Sequence, residues 1–227
     1  MGRHVGLPDA ARRFLAEFLS FLGGQCRRTD DETMELNFRS HRCPLGIALV
    51  SLFGLSCAPT ALARPAQIIL LRHAEKPAEE ANPHLSAEGR ARARALVSFL
   101  TTTPGLITNG LPVALFAAQP TRHGHSLRTH ETLEPLAKQL KLRIQSPYPA
   151  KDYPALARHL LRHSAYDGKV VVVCWVHEYL PEFAAALGVR PAPAPWRGNV
   201  FDHVWVITYR DGEATLTSLP QKLPADS

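Results

Sequence analysis

Two histidines stand where a chain commonly does chemistry. One closes the run Gln67-Ile68-Ile69-Leu70-Leu71-Arg72-His73, the other the run Val170-Val171-Val172-Val173-Cys174-Trp175-Val176-His177. Both follow short, apolar, β-rich stretches, and in open α/β sheets ligands bind outside the carboxyl ends of the strands. The two imidazoles are therefore expected to converge on one pocket, with Arg72 beside the first and Glu178 directly after the second. An imidazole titrates near 6.5, so at neutral pH it is a nucleophile without help from a strong base. A guanidinium keeps its charge and grips phosphate with two parallel N–H bonds. Histidine plus arginine is thus a phosphoryl-transfer pair, although a lone strand-end histidine is more often structural.

The elements that must position these groups follow from the pattern. Gln67 to Leu71 reads as a buried central strand. Ser86 is an N-cap with Glu88 in the first turn, so Ala87 to Leu100 reads as helix. Leu111 to Ala118 is a second strand, Glu131 to Leu140 a helix with apolar residues at 133, 136, 137 and 140, and Leu142 to Gln145 a short strand. Tyr153 to Ser164 is helical and Asp167-Gly168 a turn. Val170 to Val176 is an unbroken apolar strand, and Pro181 to Leu187 a helix stopped by Gly188. After the Pro-rich loop 190–198, Val204 to Tyr209 and Ala214 to Thr217 form a hairpin around Asp211-Gly212. Alternating strands and helices predict an α/β fold: a three-layer sandwich, its mostly parallel central sheet carrying helices on both faces. Neither common glycine-rich phosphate loop occurs, and no internal repeat is visible.

Other chemistry-bearing residues have plainer readings. His123, His125 and His130 have no acidic or cysteine partner at ligand spacing, which favours a polar loop over a metal site. Cys174, on the apolar strand, reads as inert core. Trp175 and Trp205 are core residues by the same pattern. Trp196 and Arg197 fall in the Pro-rich loop and either shape a pocket rim or pack on the surface.

Four segments together resemble the histidine phosphatase superfamily, which also contains the phosphoglycerate mutases. Leu71-Arg72-His73-Ala74-Glu75-Lys76-Pro77 is similar to its Arg-His-Gly/Ala signature, and Leu85-Ser86-Ala87-Glu88-Gly89-Arg90-Ala91-Arg92-Ala93 to the helix start that follows. Leu127-Arg128-Thr129-His130-Glu131-Thr132-Leu133 resembles its second arginine motif, in which an arginine precedes a threonine by four. Val173 to Leu180 resembles the strand ending in the second catalytic histidine. The four occur in family order across residues 67–188. The resemblance implies that His73 is the nucleophile, forming a phosphohistidine, and that Arg72, Arg128 and His177 bind the phosphoryl oxygens and spread the charge of a loose transition state. It implies no metal and no cofactor. The family usually has Ser-Pro shortly before its second arginine. Here Gln119-Pro120 leads into a longer Thr121-Arg122-His123-Gly124-His125 loop, which sets Arg122 against Arg128; the helix from Glu131 favours Arg128. In acid-phosphatase-like members the residue after the second histidine donates the leaving-group proton, which is Glu178 here, with Asp152 the alternative. A mutase returning phosphoryl to its substrate, and a non-catalytic protein that binds phosphate or a phospho-ligand, are the competing functions.

The rest of the chain bounds these readings. Its 227 residues are 45% hydrophobic and 20% charged, which excludes wholesale disorder and a multi-span membrane protein. A net charge of +6 is spread without basic runs or interleaved aromatics, so no nucleic-acid partner is expected, whereas a phosphorylated small molecule suits it. Residues 43–63 carry no charge, follow Arg39 and Arg42, and end in Ala61-Leu62-Ala63: the three parts of a secretory signal. Measured from Met34 the apolar run has the normal offset. The expected organisation is therefore an over-called or disordered extension at 1–33, a signal peptide at 34–63 and a phosphatase-like domain at 64–227, exported, periplasmic or secreted. A membrane enters only through that signal or through an uncleaved anchor. Lipidation at Cys57 is disfavoured because Leu55 sits one place too late. Of the four cysteines at 26, 43, 57 and 174, cleavage leaves only Cys174, so the exported domain relies on its core and not on a disulfide.

Overall fold

A computed structural model describes residues 64–79, 81–122, 126–210 and 212–223. The proposed signal peptide, the extension before it, and His123 and His125 lie outside the described residues. Strand β1 (Gln67–Arg72) is buried at every position. Helix α1 (Ala87–Thr102) follows, and the Ser86 side chain accepts from the Gly89 N–H at 3.0 Å, as an N-cap should. After the four-residue helix α2 (Pro104–Ile107) come β2 (Pro112–Ala117), α3 (Leu127–Leu140), the two-residue β3 (Ile144–Gln145) and α4 (Tyr153–Arg162). Strand β4 (Val170–Trp175), α5 (Leu180–Ala186) and the hairpin β5 (His203–Arg210) and β6 (Glu213–Pro220) complete the order.

The strands form one sheet in the order β3-β2-β4-β1-β5-β6. The first four in that order are mutually parallel, and β5 and β6 are antiparallel additions on the β1 side. The central strands are uninterrupted runs of Val, Ile and Leu because both faces are covered. Ile68, Leu70, Val171, Val173 and Trp175 point to one side and pack on Leu156 and Leu160 of α4 and on Phe183 of α5. Their neighbours Ile69, Leu71, Val170, Val172 and Cys174 point to the other, against Leu96 and Leu100 of α1 and Leu133 and Leu136 of α3. This is the expected three-layer sandwich. Among the described residues no helix is long and apolar enough to cross a membrane.

One boundary differs in a way that matters. Helix α3 starts at Leu127, about one turn before Glu131, where the sequence pattern places its start. Ser126 takes a left-handed conformation (φ 70°), and its carbonyl accepts from both the Thr129 N–H (3.0 Å) and the Thr129 hydroxyl (2.6 Å). Arg128 therefore projects from the first turn of a helix, not from a loop.

Candidate active site

β1 and β4 are adjacent and parallel, with Arg72 paired to Trp175, so His73 and His177 leave the sheet side by side at its carboxyl edge. Arg72 remains in the strand, 3% exposed, and its surroundings fix its guanidinium. Nη1 donates to the carbonyls of Gly198 (2.6 Å) and Val200 (3.1 Å), while the guanidinium carbon lies 3.8 Å from the centre of the Phe201 ring. Nε is buried with no hydrogen-bond partner. Burial is the main influence on Arg72, lowering its pKa to about 10; the carboxylates of Glu178 and Glu75 oppose that, and the group stays charged at neutral pH.

The His73 ring is also buried. Its Nδ1 lies 2.7 Å from the Ala74 carbonyl oxygen, which can only accept, so Nδ1 carries the proton and Nε2 the lone pair. Burial, reinforced by the positive charges of Arg72 and Arg128 and by His177, holds the His73 pKa down at about 4, although the Ala74 contact acts in the opposite direction. At neutral pH the imidazole is uncharged and nucleophilic at Nε2.

Arg128 reaches this centre from α3, and its positive charge acts on both His73 and Arg72. Its Nε donates to the His84 carbonyl (3.1 Å) and its Nη2 to the Asn82 carbonyl (2.6 Å). Glu131, one turn on, holds the same segment with both oxygens. One pairs with His84 Nδ1 and the other accepts from the Leu85 N–H at 2.8 Å. The Thr132 hydroxyl donates to the Arg128 carbonyl (2.7 Å) and accepts from the Ala74 N–H (2.9 Å). The first turn of α3 thus fastens the loop that carries His73 to the loop that braces Arg128.

His177 opens a short 3-10 turn (His177–Tyr179), with its Nδ1 buried and unpartnered. Burial lowers its pKa; the charges of Arg72 and Lys76 add to this and Glu178 opposes it. Glu178 is exposed, within electrostatic reach of Arg72 and His177. Asp152 sits in the turn Ala150–Asp152 ahead of α4, a segment tied to the same sheet edge because the Trp175 indole donates to the Ala150 carbonyl (2.9 Å). Arg122 is exposed in the loop before α3, and it is Arg128, not Arg122, whose charge bears on His73. His130 turns along α3 to Glu134 (3.3 Å). Among the described residues, no three His, Cys, Asp or Glu are grouped to hold a metal ion. Cys174 is fully buried, and burial pushes its thiol pKa up.

Five contributors escape a reading of the sequence. Phe201, Gly198 and Val200 lie more than a hundred positions from Arg72, in irregular chain without periodicity. Glu131 falls inside the second arginine motif, but its hold on residues 84 and 85 is visible only once that segment lies against α3. Gln221 donates to the carbonyls of Phe201 (3.2 Å) and His203 (3.1 Å) and accepts from Arg92 (2.9 Å), whose other contact is Glu75 at 2.7 Å. Trp196 does shape this region: it is buried against Trp205 (4.7 Å between rings), and its indole N–H donates to Val200.

No family model matches the sequence, and no curated protein does. Solved structures do match the fold. The alpha-ribazole phosphatase from Shigella flexneri aligns over 71% of this chain and 100% of its own, with 15% identity and a TM-score of 0.50. A putative alpha-ribazole-5'-P phosphatase from Escherichia coli aligns over 72% and 100%, with 16% identity and a TM-score of 0.49. The first of these likenesses shows that the chain has the phosphoglycerate mutase-like α/β fold.

Proposed function

We propose that this chain is a histidine phosphatase that hydrolyses phosphomonoesters through a phosphohistidine on His73, without a metal or cofactor. One observation carries the reading. A neutral imidazole with its lone pair on Nε2 stands within electrostatic reach of Arg72, Arg128 and His177. Two guanidinium groups and a second imidazole gathered about a neutral nucleophile suit a dianionic phosphoryl group, which they can bind by charge-assisted hydrogen bonds.

The chemistry follows. His73 Nε2 attacks phosphorus as the bond to the ester oxygen breaks; the phosphoryl group passes to nitrogen and the alcohol leaves with a proton from Glu178. The Ala74 carbonyl, accepting from Nδ1–H, steadies the charge that the ring acquires. Water then attacks the phosphohistidine, giving up a proton to the Glu178 carboxylate, and orthophosphate leaves. Arg72, Arg128 and His177 hold the equatorial oxygens, where charge accumulates in a loose transition state. Asp152 is the alternative donor. Replacing Glu178 with Gln separates the two. A true donor's loss slows alkyl phosphates far more than p-nitrophenyl phosphate, whose phenolate leaves without a proton. Equal losses on both substrates move the role to Asp152.

A panel of phosphomonoesters, including sugar phosphates and a phosphohistidine protein, assayed with and without EDTA, tests the activity. Turnover insensitive to the chelator and lost in His73→Ala supports the reading, whereas full activity in His73→Ala refutes it. Export through residues 34–63 belongs to the same proposal. Its check is N-terminal sequencing of the protein from its host, with a start near Arg64 expected and an intact leader contradicting it.

A further inference from the structure

The segment Trp196–His203 crosses in front of Arg72, fastened at several points. Trp196 packs on Trp205 with the rings tilted by 56°, and its indole N–H donates to the Val200 carbonyl at 2.9 Å. That carbonyl also accepts from Arg72 Nη1, using both of its lone pairs. Gln221 accepts from Arg92, donates to the carbonyls of Phe201 and His203, and its own N–H donates to the Asp202 carbonyl at 2.7 Å. Between these fastenings lies Phe201, its ring 3.8 Å from the Arg72 guanidinium carbon and 6.0 Å, tilted, from the His73 ring.

We propose that Phe201 is a positioning residue. Its face, with the carbonyls of Gly198 and Val200, clamps Arg72 so that the guanidinium is held beside His73 to meet the phosphoryl group, and its bulk keeps water from His73. The geometry supports this on two counts. A guanidinium carries its five N–H donors in one rigid plane, so holding one nitrogen and one face of that plane sets the direction of the rest. Nη1 is committed to the strap carbonyls, which fixes the guanidinium within its own plane and leaves Nη2 for the ligand. The ring face supplies the rest, since a cation stacked on an aromatic is held without competing for its N–H groups. The charged or titratable groups acting on His73 are Arg72, Arg128 and His177, with Glu75 and Glu178 acting on Arg72; Phe201 adds no charge, so its influence on His73 is through exclusion of solvent.

The proposal rests on the phosphatase reading but is tested without turnover. Phe201→Leu keeps an apolar side chain and removes the aromatic face, and Phe201→Tyr keeps the face. Orthophosphate binding by calorimetry and the titration of the His73 imidazole by NMR are measured on each, in the full chain. Phe201→Leu is expected to weaken orthophosphate roughly 5- to 30-fold, the range for a partly desolvated cation–π contact, and to move the His73 midpoint upward from about 4. Phe201→Tyr should recover most of both. Trp196→Phe, which removes the N–H to Val200 together with part of the ring packed on Trp205, should weaken binding in the same direction. Unchanged binding and midpoint in Phe201→Leu, or equal impairment in Phe201→Tyr, overturns the clamp. A wild-type protein that binds orthophosphate with these dependences yet hydrolyses no phosphomonoester upholds the clamp and refutes the hydrolase.

Discussion

His73 is held neutral by burial and by the cations around it, and that has a consequence for stability as well as for chemistry. Its pKa lies near 4 in the fold against about 6.5 in the unfolded chain. Between those values the unfolded state binds a proton that the folded state refuses, so this residue's contribution falls as pH drops through the window and is fully lost below it. The stability advantage of wild type over His73→Asn, measured by urea unfolding, should therefore shrink between pH 7 and pH 4. A gap independent of pH would mean that His73 is not buried as a neutral base. Single residues were also the most legible part of the sequence. His73, Arg72 and His177 stand out because a strand end marks them locally. Phe201 does not, because a phenylalanine in a loop between two apolar elements carries no sign of the arginine it will cover.

At the scale of elements, the site depends on how closely α1 and α3 approach the loop after β1. A Cβ on Gly89 would lie 2.4 Å from the Glu75 carbonyl oxygen and 2.9 Å from its nitrogen, both backbone atoms that cannot rotate aside. Alanine gains about 1 kcal/mol in helix propensity over glycine, but overpacking of this kind costs about 1–3 kcal/mol. The clash should prevail: Gly89→Ala is expected to lower the melting temperature and to reduce kcat further, because the displaced backbone adjoins His73. Gly105→Ala, with nothing within 4 Å of the new methyl, serves as the control and should leave both near wild type. If Gly89→Ala matches that control, the approach of α1 is not what sets the loop. The strands and most helices were legible from periodicity and caps, as with Ser86 ahead of α1. The first turn of α3 was not, since Leu127 to His130 lack the apolar pattern and are held by the Ser126 carbonyl and by contacts to residues 74 and 82–85.

For the whole molecule, the parallel pairing of β1 with β4 is what turns two separate strand-end histidines into one site. The antiparallel β5–β6 hairpin beside β1 then brings the Trp196–His203 strap across it. Fold class could be anticipated from alternating strands and helices. The strand order could not, because it depends on which apolar runs pair across gaps of about a hundred residues. In the proposed mechanism the phosphoryl group passes through His73 Nε2, and rapid quenching of the protein during turnover of a labelled phosphomonoester is the decisive test. We expect phosphate bound to protein that is labile in acid and stable in base, mapping by mass spectrometry to His73 and absent from His73→Ala. Turnover by the wild type with no phosphoenzyme, or label mapping to any residue other than His73, would contradict it.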